Sequence, residues 1–462
     1  MKTNSEFFRK LQTRSKTTSA PKPSRLNQVA QKQVTTPIQQ RKKVLYWADS
    51  PTTTTGFGIV SKYLLWGIHQ TGRYEIDCLA INYYGDFFDK KQFPYQIISS
   101  KLRDPRDPYG LEMFLGAVEH NDYDIIIVMN DIFVVEQVAE KYKKVVSTKV
   151  SLNKKVPKLI YYYPVDCRVV PGTTRFVELA DAAIAYSDFA VAEMEKSAPG
   201  LPTQRIYLGS NPEVFRPLAA EERRKLRAQY LGVQSDSTFV IINVNRNSLR
   251  KDIAKTIKVF SEFQKLYKDT MLYLHTAVVD AGAGSMHPID LGAALSHLGQ
   301  DTQTRVRFPA NFQVAAGFPE KTLNELYNTA DCYLTTHNGE GFSLTQVEAM
   351  ATGIPVIVPN NTVTPELIGL DGDRGYVYPC QEEIYIDSSG YRKTGRIEDV
   401  LAKVVQCGQE RGTPKQIDML RRARKFAVDL SWKNIWLQWV HLLETIESTP
   451  SKLSSLQTSE KL

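Results

Sequence analysis

Apolar residues in this chain fall into two kinds of run. Short unbroken runs such as VLYWA (44–48), DIIIVM (124–129) and FVIINV (239–244) lack polar alternation, which marks strands buried on both faces of a sheet. Longer stretches such as DIAKTIKVFSEFQKLY (252–267) return an apolar residue every third or fourth place, the spacing of an amphipathic helix. The two kinds alternate, and that alternation predicts a parallel sheet covered on both faces.

The pattern runs twice. Strands are predicted at 43–50, 74–82, 123–130, 158–164 and 182–187, with helices at 52–72, at 109–120 and from about residue 132. It restarts with strands at 238–245, 271–278, 304–309, 331–338 and 353–359, and with helices at 252–267, 322–330 and 343–352. Residues 397–447 read as helix without strand and must pack over existing surface. The expected organisation is a first Rossmann-like, acceptor-side domain over 43–217 and a second, donor-binding one over 218–430. A helix at 431–447 crosses back, and polar tails cover 1–42 and 448–462. In such a fold a ligand belongs at the carboxyl ends of the strands, here between the halves.

Charge changes this picture only at the N-terminus. The chain carries +8 overall, but residues 1–43 hold eleven Lys or Arg against Glu6, leaving the remainder at −2. The folded body is nearly neutral, and the tail reads as a solvated disordered segment, as an electrostatic tether to nucleic acid or a membrane surface, or as a transit peptide, the weakest of the three. No apolar run reaches the ~20 residues of a membrane span, and no apolar signal core opens the chain. Five scattered cysteines without CxxC spacing argue for a reducing, cytoplasmic setting and against structural zinc.

The densest chemistry lies in HNGEGFSLTQVEAMATGIPVIVP (337–359). A buried strand runs into a Gly-Glu-Gly turn, and Ser343 reads as an N-cap with Gln346 in capping-box position, so the helix begins near Leu344. Unpaired amides around residues 342–345 would bind phosphate through their N–H groups and the helix dipole. Glu340 in the loop and Glu348 on the helix would each accept sugar hydroxyls, or would be a turn residue and a solvated helix position. Gly56 and Gly58 follow the first strand, where glycine lets backbone approach a phosphate or sugar closely, or simply makes a tight turn. Asp49 and Asn130 end strands and are candidates for the acceptor side. His275 and His337 also end strands and read as structural. Asp371 and Asp373 form a D-x-D in a glycine-rich loop, which reads as a turn.

EGFSLTQVEAMATGIPVIVP resembles the E-x7-E signature of retaining glycosyltransferases of the GT-B fold, family 4 in particular (glycosyl transferases group 1). The resemblance extends to AIAYSDFAVAEM and RIYLGSNPEVFRP, with Asn211, Val214, Phe215 and Pro217 in the usual places, to NVNRNSLRKD, to FPEKTLNELYNTADCYLTTHNGEGF and to DLSWKNIW. It implies an α/β, GT-B fold of two Rossmann-like domains facing a central cleft, with the C-terminal helical segment packing back across them. Glu340 would contact the donor sugar and Glu348 the ribose. The amides of Gly341, Phe342, Ser343 and Leu344 would meet sugar and diphosphate, and Arg246 and Lys251 would neutralise the diphosphate. Asp166 stands where the family often carries a His or Asp lining the cleft. Two departures stand out: Ser343, Leu344 and Thr345 replace the family's Gly-Leu-Pro, and HTAVVDAGAGSMHP replaces a glycine-rich loop, which puts nucleobase contacts in doubt.

The function implied is transfer of a sugar from a nucleoside diphosphate sugar to an acceptor hydroxyl with retention, by same-face attack assisted by the donor's phosphate. No cofactor or metal is implied, and UDP-glucose is the first donor to try. The acceptor would be a glycan or a lipid-linked hydroxyl, with a nucleic-acid acceptor left open by the basic tail, as is peripheral membrane contact. A nucleotide-sugar epimerase of the same fold and a non-catalytic nucleotide-sugar or glycan-binding protein are the rival readings.

Overall fold

The computed structural model of the chain describes residues 41–101, 106–279, 289–310, 317–369, 371–387 and 390–454. The readings made for residues 1–40, 280–288 and 455–462 lie outside the described residues.

The first sheet contains β1 (Lys42–Asp49), β2 (Tyr74–Ile81), β3 (Gln96–Ser99), β4 (Ile125–Val128), β5 (Lys158–Tyr163), β6 (Ala182–Ala185) and β7 (Thr203–Arg205). Its order is β3-β2-β1-β4-β5-β6-β7 and every pairing is parallel, with Tyr46 flanked by Cys78 and Ile127. The second contains β8 (Phe239–Val244), β9 (Thr270–His275), β10 (Val306–Arg307), β11 (Cys332–Leu334), β12 (Val356–Pro359) and β13 (Tyr376–Tyr378), in the order β10-β9-β8-β11-β12-β13, again parallel. A hairpin of β14 (Glu382–Asp387) and β15 (Gly390–Thr394) stands apart. The longer helices are α1 (Gly56–Gln70), α2 (Leu111–His120), α3 (Ala139–Ser151), α4 (Asp188–Ser197), α5 (Ala220–Leu231), α6 (Ile253–Leu266), α7 (Glu320–Thr329), α8 (Leu344–Thr352), α9 (Ile397–Gln409), α10 (Pro414–Asp429) and α11 (Trp432–Glu447).

The ten strands read from unbroken apolar runs are all present, because such runs have no polar face to leave in water. The short strands β3, β7 and β13 and the hairpin were not anticipated. The order in which strands are added reverses once in each sheet, between β1 and β4 in the first and between β8 and β11 in the second. The crevice outside a reversal is where an open α/β sheet has room for a ligand. The two crevices carry the loops 50–55 and 129–131 on one side and 245–252 and 335–343 on the other.

Two chain crossings join the domains, and they touch. The Ser210 amide donates to the Leu430 carbonyl at 2.8 Å, and the Trp432 amide donates to the Ser210 carbonyl at 3.1 Å. Beyond the second crossing α11 lies on α1 of the first domain, where Trp439 meets Tyr162 edge-on at 5.0 Å. Glycine is required here: a Cβ on Gly67 would stand 2.2 Å from the Trp436 ring, and one on Gly209 would stand 2.3 Å from the Trp432 ring. Residues 448–454 depart from the expected loose tail. The Lys452 amide donates to Asp181 Oδ1 at 2.6 Å, and Leu453 is buried in the first domain's core, so apolar burial anchors the segment.

Gly67→Ala should lower stability by about 1–3 kcal/mol through overpacking against Trp436, whereas Gly56, whose Cβ would meet nothing within 4 Å, should accept alanine with little change. Urea unfolding of both variants checks this.

Candidate active site

Thr335 to Ser343 leave the end of β11 at the second sheet's crevice. His337 is buried and neutral, its pKa pushed down to about 3 mainly by burial, and its Nδ1 accepts from the Gly339 amide at 3.2 Å. That bond tightens the turn presenting Glu340. Gly339 has φ of 145°, and a Cβ there would strike the Asp166 carbonyl; a Cβ on Gly341 would stand 2.5 Å from Pro164 Cβ. The Gly-Glu-Gly turn is thus pressed against the Pro164–Asp166 segment of the opposite domain, and only glycine fits either position.

Glu340 is buried at the centre of an ion cluster. Its Oε2 pairs with Arg250 Nη1 at 3.0 Å, its Oε1 pairs with Lys251 Nζ, and its amide donates to Thr362 Oγ1 at 3.0 Å. Burial alone would raise its pKa, but the Lys251 and Arg250 cations overcome that and hold the carboxyl well below its ordinary range. Arg250 also reaches across the cleft, its Nε 3.0 Å from Asp166 Oδ2. Arg392, from β15, gives Nη1 to the Asp166 carbonyl at 2.7 Å and Nη2 to its Oδ1 at 3.1 Å. The cleft is closed in this conformation, and other pairs join the domains: Lys62 Nζ and the Tyr63 hydroxyl both reach Glu320 at 2.7 Å, and Glu366 accepts from the Asp188 and Phe189 amides that open α4, at 2.9 and 2.6 Å.

Ser343 does not cap α8 as expected. Its backbone is left-handed, φ 62°, so its hydroxyl turns away from the helix amides and is buried without a partner; both polar atoms of the Gln346 side chain are likewise unpaired. No capping box forms, and among the described residues no protein acceptor takes the amides of Gly341, Phe342, Ser343 or Leu344. The expected set of free donors at a helix start is present, more open than a capped start would leave it. Glu348 lies on α8, half-buried, accepting from the Tyr327 hydroxyl at 2.8 Å; burial pushes its pKa up to about 7. The two glutamates of the signature therefore sit in opposite electrostatic surroundings.

Of the other candidates, Lys251 lies in the Glu340 cluster, whereas Arg246 is exposed at the end of β8; burial raises the pKa of Asp49 across the cleft, and the Arg246 charge offsets a small part of that rise. Asp166 joins the cluster. Gly58 lies within 3 Å of Thr53 and Ser50 once a Cβ is added, and its amide is taken by the Thr55 hydroxyl at 3.0 Å, so it serves the turn; Gly56 is unobstructed. Asp49 is occupied by Thr55 at 2.5 Å and Asn82 at 3.3 Å, and Asn130 by the Trp47 carbonyl at 3.3 Å. His275 is buried against Phe318, and Asp371 and Asp373 lie exposed in a turn. Three participants were not foreseen. Arg250 stood beside Lys251 in the quoted motif. Arg392 was signalled by EEIYIDSSGYRKT, an alternating run about a turn, which marks a hairpin. Asp131, after β4, has its pKa raised to about 7 by burial first and then by Asp166.

Residues 300–385 match the family described as Glycosyl transferases group 1. EpsD of Bacillus subtilis (strain 168) is 28% identical over 220 residues, 46% of this chain and 50% of that protein. MJ1607 of Methanocaldococcus jannaschii, named an uncharacterized glycosyltransferase, is 32% identical over 177 residues, 38% of this chain and 40% of that one. The chain thus spans half or less of the curated relatives it matches. Among solved structures, a glycosyltransferase from Rickettsia africae ESF-5 superposes with TM-score 0.65 at 14% identity, over 89% of this chain and 100% of that one. Anabaena Alr3699/HepE in complex with UDP-glucose gives 0.64 at 17%, over 87% and 99%.

The fold is GT-B.

Within that fold the Glu340 turn, Lys251 and the open start of α8 lie at the second domain's strand ends, facing Asp131 and Asp166 of the first. Asp131, with its raised pKa, binds a proton in the folded state that the unfolded chain releases near pH 4. Folding stability therefore falls as pH rises from about 4 to about 7 on its account. Asp131→Asn should match the wild type at pH 4 and exceed it by on the order of 1 kcal/mol at pH 8, the partial exposure of the site moderating the gain. Denaturant midpoints across that range check the sign.

Proposed function

We propose that the protein transfers a sugar from a nucleoside diphosphate sugar to an acceptor hydroxyl with retention of anomeric configuration, as a family 4-like enzyme of the cytoplasm. The observation that carries this reading is the Glu340 carboxylate, kept ionised by Lys251 and Arg250 beside the free amides of residues 341–344. A donor lying across that turn would place its transferred sugar at Glu340, its diphosphate at Lys251, Arg246 and the amides, and its ribose at Glu348. UDP-glucose is the first donor to test, since Alr3699/HepE, of the same fold, is known in complex with it.

The residues have distinct work in such a reaction. As the bond from the anomeric carbon to the diphosphate oxygen breaks, negative charge grows on the leaving group, and Lys251, Arg246 and the α8 amides stabilise it without reorganising. Positive charge grows on the sugar ring, which Glu340, as a carboxylate, stabilises. The acceptor oxygen forms its bond on the same face, and its proton passes to the departing phosphate oxygen. No step requires a metal, because those cations and the helix pole carry the charge. Closure of Asp166 on Arg250 and Arg392 excludes water from the activated sugar. The acceptor is a glycan or lipid-linked hydroxyl approaching from the first domain.

Release of nucleoside diphosphate from a panel of UDP-, GDP- and ADP-sugars tests the reading. One donor should turn over, and Glu340→Gln and Lys251→Ala should each lower kcat/KM by about 10²–10³-fold. Turnover of no donor, with none of the diphosphates binding, would sink it. NMR of the product's anomeric proton reports retention or inversion.

Glu348 supplies a separate check. Below pH 7 it is largely protonated, and it becomes a full acceptor for ribose hydroxyls only above its raised pKa of about 7. Donor KM should therefore fall as pH rises from 6 to 8, and Glu348→Gln should flatten that profile.

A further inference from the structure

Away from the cleft, a cavity of about 330 Å³ opens where the two crossings meet. Its lining includes Lys62 and Trp66 of α1, Asn211 from the first crossing, and Trp432 and Trp436 from the second. Three of the chain's five tryptophans thus face one hollow. Two are fixed in place: Trp432 stacks on Tyr63 at 5.3 Å and 15°, and Trp436 packs on Gly67 while its indole N–H donates to the Tyr63 carbonyl at 2.8 Å. Trp66 is half-buried, and among the described residues no protein acceptor takes its indole N–H.

We infer that this cavity is a second binding site, for a neutral saccharide. Aromatic faces take the C–H face of a pyranose ring, and its edge hydroxyls need donors and acceptors around the rim. Trp66 offers its N–H. Asn211, whose amide N–H is given to the Tyr63 hydroxyl at 2.7 Å, keeps its carbonyl oxygen as an acceptor. Charge argues against an anionic occupant such as a nucleotide: Lys62 is paired with Glu320 at 2.7 Å, and the rim lysine Lys433 with Glu213 at 2.9 Å. The volume lies within the range of small-ligand pockets, which begins at about 300 Å³. The inference does not depend on glycosyl transfer in the cleft.

Intrinsic tryptophan fluorescence of the full chain, titrated with glucose, N-acetylglucosamine, maltose, cellobiose and UDP, tests it. At least one neutral sugar should saturate the signal in the wild type and equally in Glu340→Gln. Trp66→Ala should weaken that binding by about tenfold or more, the loss of one stacked ring, and Trp66→Phe, which keeps a ring and the fold, should weaken it less. Saturation by none of the sugars, affinities indifferent to both Trp66 variants, loss in Glu340→Gln, or Trp66-dependent binding of UDP alone would each overturn the inference.

Discussion

Glu340 is a buried carboxylate that two cations hold in its charged form, and the rest of the cleft is arranged around that requirement. An unpaired buried charge would be several kcal/mol out of reach, so Lys251 and Arg250 must both be near. Bringing Arg250 there leaves its remaining donor free to take Asp166 in the other domain. The approach is close enough that Gly339 and Gly341 have no space for a side chain. Local electrostatics at one turn thereby become a constraint on how two domains meet.

The same chemistry gives the two acids of the signature different characters. Glu340 stays ionised because cations surround it, and Glu348 holds its proton to near neutrality because burial dominates and only a tyrosine hydroxyl attends it. Two residues of one type, eight positions apart, thus respond differently to pH. A buried counterpart elsewhere, Asp331, is paired with Arg223, Arg227 and Arg411, and its pKa is drawn down to about 2; it ties α5 and the turn between α9 and α10 to the second sheet. Arginine pairs of this kind fix geometry and are remote from the cleft.

Much of this was legible in the sequence, for physical reasons that also explain what was not. Strands buried on both faces are unbroken apolar runs, so β1, β4, β8 and β12 announce themselves; β7 and β13, three residues each at sheet edges, do not. The Gly-Glu-Gly turn and the open start of α8 were readable because backbone geometry restricts which residues can stand there. The mode of that start was not: Ser343 has the composition of a cap, but its left-handed backbone, φ 62°, removes its hydroxyl from the helix. Arg392 comes from a hairpin far along the chain and reaches Asp166 of the other domain, a pairing that sequence distance conceals. Arg250 and Arg246 offered equal chemistry four residues apart, and which one turned inward depended on the short 3-10 turn at Leu249–Lys251.

The return of α11 to the first domain carries a consequence for how the molecule comes into being. Trp439, Leu442 and Leu443 belong to the apolar cluster that covers Tyr162, Tyr186 and Ile68, and Leu453 fills a neighbouring part of the same domain. A chain emerging from the ribosome makes the first sheet before these residues, which follow the whole second domain in the sequence. Domains ordinarily fold as they appear, amino-terminal first. Here the earlier-made half waits, with part of its apolar surface uncovered, for a helix made after the second domain, so the second domain can be complete before the first.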